Sequence, residues 1–187
     1  MTEKLADPST TREALPVELV DDSGVAIGAC SVAEAHRPPG ALHRAFSVLL
    51  FDRRGQVLIQ RRAAVKTRFP QQWANTCCGH PLPGQAVAEA AALRLREEFG
   101  LTADLTEVGT FRYHAGDATT GRVEHEYDHV LIGAAGDHPP HPDPAEIDEW
   151  AWIAPQTLRA DLAANPGRYT PWLAQVLDIA DEAYRAG

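Results

Sequence analysis

The chain has 187 residues, 44% of them apolar and 23% charged, which is enough for one domain with a sizeable core and rules out wholesale disorder. Acidic residues number 26 against 17 lysines and arginines, for a formal net charge of -9. That balance argues against duplex nucleic acid or an anionic membrane as the main partner, since both need a broad basic footprint.

Residues 1–15, with the turn-rich run Asp7-Pro8-Ser9-Thr10-Thr11, read as a mobile tail, and residues 16–187 as a single domain. The tail lacks the apolar stretch of a secretory signal. The apolar run Val48–Phe51 falls far below the roughly 20 residues that cross a bilayer. Three cysteines, Cys30, Cys77 and Cys78, two of them adjacent, do not make a disulfide framework. A cytoplasmic protein with reduced thiols is expected, and a monomer, since no large apolar interface stands out.

Val17–Val20, the turn Asp21-Asp22-Ser23-Gly24 and Val25–Ala29 read as strand, turn and strand. His36–Gly40 is a loop. His43–Phe51 is apolar on both faces, as a central strand is, and Gln56–Arg61 is its hairpin partner after Asp52–Gly55. Phe69–His80 has little period. Val87–Phe99 is a helix rich in alanine, leucine, arginine and glutamate, with Gly100 as its stop. Thr110–Tyr113 and Val123–Ile132 are strands around the turn Gly116–Gly121, and Trp150–Ile153 is a last short strand. Pro155 and Pro171 sit where first helical turns begin. The final helix carries Leu173, Val176, Leu177, Ala180 and Tyr184 along one side. Strands mixed with two or three helices make an α+β domain.

Several constellations can carry chemistry. Cys78 beside Gly79 lies on pliable backbone that a small substrate can approach. Cys78 reads as an acid–base or nucleophilic thiol, or Cys78 or Cys77 as a soft zinc ligand beside His80, or as an inert buried cysteine. Glu124 and Glu126 point to one face of a strand, about 7 Å apart, with Asp128 beyond them. Such carboxylates repel unless a cation or proton lies between them, or unless the face is solvated. The opposite face, Val123, His125, Tyr127 and His129, is no clean core face either, so alternation leaves the buried side open. His36 and His43 bracket the loop into the first central strand. Arg61, Arg62, Lys66 and Arg68 form a local cationic run suited to a phosphate or diphosphate, or simply to solvent. The stretch Gly79-x5-Gln85-x7-Leu93-Arg94-Leu95-x-Glu97-Glu98-x-Gly100 has the frame of a Nudix box. Gln85 and Leu93-Arg94 replace its glutamate and Arg-Glu.

In their order along the chain, Leu42-His43-Arg44-Ala45-Phe46-Ser47, Asn75-Thr76-Cys77-Cys78-Gly79-His80-Pro81, Gly121-x-x-Glu124-His125-Glu126 and Thr170-Pro171-Trp172 resemble the type I isopentenyl-diphosphate isomerases, a Nudix-fold family. The resemblance runs from about Ala26 to the C-terminal helix. It implies a Nudix-type mixed β-sheet sandwich flanked by helices. It also implies isomerisation of isopentenyl diphosphate to dimethylallyl diphosphate through a tertiary carbocation, feeding isoprenoid biosynthesis. Carried over residue by residue, His36, His43, His80, Glu124 and Glu126 match the ligands of one manganese, zinc or magnesium ion. Cys78 and Glu126 match the catalytic pair, Tyr113 a partner of that carboxylate, and Trp172 the indole facing the hydrocarbon. The resemblance gives Glu98, with the Cys78 backbone, to a second magnesium, and Arg62, Lys66 and Arg94 to the diphosphate. The partner it implies is a small prenyl diphosphate, with no nucleic acid and no membrane. The lysine that the family often carries just before its first metal histidine has no counterpart in Ser31–Ala35. Two alternatives stand beside this reading: a Nudix-type diphosphate hydrolase, and a non-catalytic metal- or diphosphate-binding module.

Overall fold

The computed structural model describes residues 12–186. Strands β1 (Pro16–Val20) and β2 (Ala26–Ser31) form an antiparallel hairpin. The Asp21 carboxylate locks its turn by accepting the N–H groups of Ser23 and Val25 at 2.9 and 3.0 Å. Ser31 and Glu34 then close a capping box over the short helix α1 (Val32–Ala35). The sequence reading gave this helix no element. It delivers His36 from its C-terminal end.

Strand β3 (His43–Phe51) is central, as expected, and accounts for the mixed sheet. It runs parallel to β8 (Val123–Ala134) along its whole length and antiparallel to β6 (Cys77–Gly79). Strand β4 (Val57–Arg62) pairs with the two-residue β5 (Trp73–Ala74) and with β9 (Ile147–Ile153). Strand β7 (Thr106–Gly116) pairs along β8. It is longer than Thr110–Tyr113 because β8 supplies a ladder beyond the residues with apolar character. β5 and β6, in the segment without period, are too short to show one.

Helix α2 (Val87–Phe99) buries Ala90, Ala91, Leu95 and Phe99 and ends at Gly100, whose φ of 64° only glycine adopts at low cost. Helix α3 (Pro155–Ala164) starts on its proline, and α4 (Leu173–Ala186) closes the chain. The two faces of β3 serve two layers. Phe46, Val48 and Leu50 pack with Leu95 and Phe99 of α2. Leu49 and Phe51 pack with Leu173, Val176, Leu177 and Ala180 of α4. The sheet is thus a filling between helices, and the second layer turns polar at its far end, where His43 and Ser47 continue the face of Leu49. Leu177 is fully buried. Leu177→Ala is expected to lower unfolding stability by about 2–5 kcal/mol, measured by urea titration; a loss under half that range would mean α4 does not seal this layer.

Of the expected tail, residues 1–11 lie outside the described residues. Residues 12–15 do not behave as a tail: Arg12 pairs with Glu97 at 3.0 Å and Glu146 at 3.4 Å, and Glu13 pairs with Arg68 at 2.6 Å. Among the described residues no helix is long and apolar enough to cross a membrane.

Candidate active site and metal centre

The site forms where three strands and one helix end place polar side chains into the α4 layer. Side chains on β8 alternate, and Glu124, Glu126 and Asp128 turn inward. They are 4%, 7% and 0% exposed, so the acidic face is the buried one, which alternation had left open. The two thiols separate for the same reason. Cys77 lies opposite Val48 and joins the α2 core, whereas Cys78 lies opposite Ser47 and faces the polar layer. Gly79 follows because a Cβ there would stand 2.8 Å from the Phe46 ring.

His36, His43, His80, Glu124 and Glu126 offer five ligand atoms, all within 4.8 Å of one another. Nδ1 of His36 lies 2.7 Å from the Val32 carbonyl and Nδ1 of His43 lies 2.8 Å from the Ala41 carbonyl. A carbonyl only accepts, so each Nδ1 carries the proton and each Nε2 faces inward, the ring atom that would ligate a cation. Nε2 of His36 lies 2.8 Å from Glu124 Oε2 without hydrogen-bond alignment, and His43 Nε2 lies 3.6 Å from Glu126 Oε1. These buried atoms, His36 Nε2, His43 Nε2 and Glu124 Oε2, have no hydrogen-bond partner among the described residues. Polar atoms left unpaired out of water are costly. Three imidazoles and two carboxylates are a donor set that a divalent cation would satisfy.

Glu126 is the hub. It accepts from Tyr113 Oη at 2.6 Å and lies 3.0 Å from His80 Nε2. Burial opposes its ionisation, yet His43 and His80 hold its pKa well below the usual carboxylate value. Burial also pushes His80 down to about 4, and the neighbouring His43 and His36 add to the effect. Tyr113 is pushed well up, by burial and then by the charge of Glu126.

Cys78 has the opposite surroundings. Burial, with the Asp128 carboxyl adding to it, pushes the thiol up to about 12. The thiol form of Cys78 is therefore favoured. Sγ reaches Asn75 Oδ1 at 3.2 Å, and the same oxygen accepts from Trp172 Nε1 at 3.0 Å. Asn75 Nδ2 donates to the Val48 and Cys77 carbonyls. Asn75 thus fixes the thiol and the indole together. Its role was missed although the motif contains it, because the sequence does not show what lies 97 residues away. Asp128 was likewise left without a role: it is buried, accepts from Ser47 Oγ at 2.7 Å, and burial and then Glu126 push its pKa well up.

One cavity joins these groups to the cations. Its lining includes Cys78, Tyr113, Glu126 and Trp172 and also Arg62, Lys66 and Arg94. Arg62 donates Nε to the Phe69 carbonyl at 3.1 Å and Nη2 to the Arg68 carbonyl at 2.9 Å, and lies 5.8 Å over the Trp172 ring. Lys66 and Arg94 both pair with Glu146, and Arg94 also holds Glu97 and Glu98. The Glu98 oxygens are both engaged, one by Arg94 and one by Gln60 Nε2 at 2.7 Å. Glu98 stands outside the five-residue cluster. Gln85 accepts from the Leu82 N–H.

Burial opposes ionisation of Glu146, but Lys66 and Arg94 overcome it and hold the carboxyl down at about 2 from an ordinary 4.5. A depressed carboxylate stabilises the fold above its unfolded pKa and loses that contribution as pH falls through the folded one. Melting temperature is therefore expected to fall between about pH 4.5 and about 2, and Glu146→Gln is expected to flatten that stretch. Parallel curves for the two proteins would show that the pair carries no pH dependence.

The NUDIX domain family matches residues 41–173. The chain is 68% identical over 171 residues to the isopentenyl-diphosphate Delta-isomerase of Nocardia farcinica, covering 91% of this chain and 97% of that protein. It is 49% identical over 170 residues to the enzyme of the same name from Halorhodospira halophila, covering 89% and 97%. It is 46% identical over 189 residues to that of Streptomyces coelicolor, covering 99% and 94%. Among solved structures, DR0079 from Deinococcus radiodurans superposes with a TM-score of 0.70 at 21% identity, covering 87% of this chain and 97% of that one. The MutT protein of Methanosarcina mazei Go1 does so at 0.61 and 16%, covering 77% and 96%. At such identities the structural likeness concerns the fold.

Proposed function

The chain belongs to the isopentenyl-diphosphate Delta-isomerase family on the NUDIX fold, and from that membership we propose how its residues share the work of the reaction. It isomerises isopentenyl diphosphate to dimethylallyl diphosphate, a step of isoprenoid biosynthesis. One proton is added to the terminal alkene carbon, giving a tertiary cation, and one is lost from the carbon on the other side. The diphosphate stays attached and no redox partner is needed.

Cys78 and the Glu126–Tyr113 pair are the two proton-handling groups. One delivers and the other removes, and they exchange roles between the forward and reverse directions. An alkene is a weak base, so both must act in a site that excludes water. Trp172 lends its π-face to the cation, a contact worth roughly 2 kcal/mol or more when desolvated. Its N–H is held by Asn75, so the ring cannot drift. Arg62, Lys66 and Arg94 receive the diphosphate, with Arg94 exchanging its bond to Glu98 for the ligand. That exchange would free Glu98, with the Cys78 backbone, for a second magnesium that arrives with the substrate. His36, His43, His80, Glu124 and Glu126 would hold one divalent ion, magnesium, manganese or zinc. When bound it offsets the charge of the two glutamates and so sets the proton affinity of Glu126.

The observation that carries the reading is the single cavity lined by a thiol, a tyrosine-bound carboxylate, an indole and three cations. Proton NMR in heavy water with isopentenyl diphosphate and magnesium tests it. Dimethylallyl diphosphate should appear with deuterium in its methyl and C2 positions. Metal-loaded, folded protein that forms no allylic product would sink the reading. Phosphate release in that tube would point to hydrolysis, and an unchanged spectrum to a binding module.

A further inference from the structure

We propose that Arg68 is a positioning residue for the metal ligand Glu124, and that Glu13 is the counter-charge that lets a guanidinium sit there. The inference rests on the reading of His36, His43, His80, Glu124 and Glu126 as one metal centre. Arg68 Nε lies 3.2 Å from Glu124 Oε1. The other oxygen of that carboxylate, Oε2, faces His36 Nε2 at 2.8 Å. One oxygen is thus held by the protein and one is left for a cation. A carboxylate with both oxygens unheld turns freely about its terminal bond and can chelate with two oxygens or swing away.

The guanidinium is itself fixed. It is 13% exposed, and its Nη1 donates to Glu13 Oε1 at 2.6 Å and to Thr67 Oγ1 at 3.1 Å. Thr67 Oγ1 in turn donates to the same Glu13 oxygen at 2.9 Å. The backbone behind it cannot slide. Arg62 holds the carbonyls of Arg68 and Phe69, and the Phe69 N–H donates to Asp117 at 2.7 Å. Phe69 has a φ of 45°, a conformation that costs a non-glycine residue about 1–2 kcal/mol. A turn held in that form by three hydrogen bonds aims one side chain in one direction.

Charge explains why Glu13 is needed. An arginine beside a divalent ion repels it, which would weaken the centre it orients. Glu13 cancels that charge, so the Arg68–Glu13 pair acts on Glu124 through direction and not through net charge. Glu13 belongs to the segment ahead of β1, and Arg12 beside it reaches Glu97 and Glu146 across the cavity. The same short segment therefore touches the metal side and the diphosphate side of the site. Arg62 makes a second such link, since it lies over Trp172 and holds the Arg68 turn.

The test is manganese affinity by electron paramagnetic resonance, on the full chain without substrate. The key variant is Glu13→Gln/Arg68→Met, which leaves the net charge unchanged. Its dissociation constant for manganese should rise about 10–100-fold, the usual cost of losing a group that orients a ligand, with a melting temperature near that of the wild type. Arg68→Met alone leaves Glu13 bare, so added negative charge should recover part of that loss. Arg68→Lys should fall between wild type and the double variant, since a lysine gives one donor and no fork. A folded double variant that binds manganese within twofold of wild type overturns the proposal. Wild-type protein that binds no manganese, zinc or magnesium overturns the metal reading itself, and this inference with it.

Discussion

Cys78→Ala is expected to reduce isomerase turnover by at least about 10²–10⁴-fold, the contribution of a positioned general acid or base, while the melting temperature stays near that of the wild type. Sγ faces the cavity, and its one close protein partner among the described residues is Asn75 Oδ1, with Ser47 Oγ at 3.7 Å. Asn75 keeps its bond from Trp172 in the variant, so no buried acceptor is orphaned. Cys77→Ala is the paired control. Cys77 is fully buried against the α2 layer, so its loss should cost stability, about 1 kcal/mol for a deleted buried heavy atom, and leave turnover largely intact. Steady-state kinetics and thermal melts on the two variants decide the matter. If Cys77→Ala were the inactive one, the assignment between the adjacent thiols would be reversed.

Glu126→Gln should be as severe for activity, and it should also empty the metal centre. The side chain is isosteric, so the packing survives, but a neutral amide replaces the charge toward which His43 and His80 turn. An amide also accepts the Tyr113 hydroxyl proton more weakly than a carboxylate. Turnover is expected to fall by at least about 10³-fold. Metal content by elemental analysis should fall well below that of the wild type at equal total metal. Activity lost with metal content unchanged would confine Glu126 to proton handling and remove it from the ligand set. Retained activity would remove it from both.

The strand β3 and the helices α2 and α4 were legible because each has a local cause: apolar residues on both faces, good helix formers with a terminal glycine, and a one-sided apolar stripe. Helix α1 was not seen because four residues show no period; its Ser31–Glu34 capping box was the available signal. β7 was cut short because its ends are exposed and its ladder comes from β8. His36, His43, His80, Glu124 and Glu126 were found by resemblance to a family, and the structure brings all five together. Arg68 was read as one member of a cationic run, and Asn75 as part of a motif. Their roles depend on partners in distant segments, Glu13 and Glu124 for one and Trp172 for the other.

The sequence by itself determined the chain's class, its central strand, its two long helices and, through the order of its motifs, its family. Those features rest on local propensity and on residue types in sequence. Tertiary structure alone decided which face of β8 is buried, which of two neighbouring thiols meets the cavity, and which protonation states the site favours. Strand alternation always offers two faces. The choice belongs to the layers packed above and below: Ser47 and the α4 side draw in Cys78, while Val48 and α2 take Cys77. Burial then sets the charges, and burial is a property of the assembled fold.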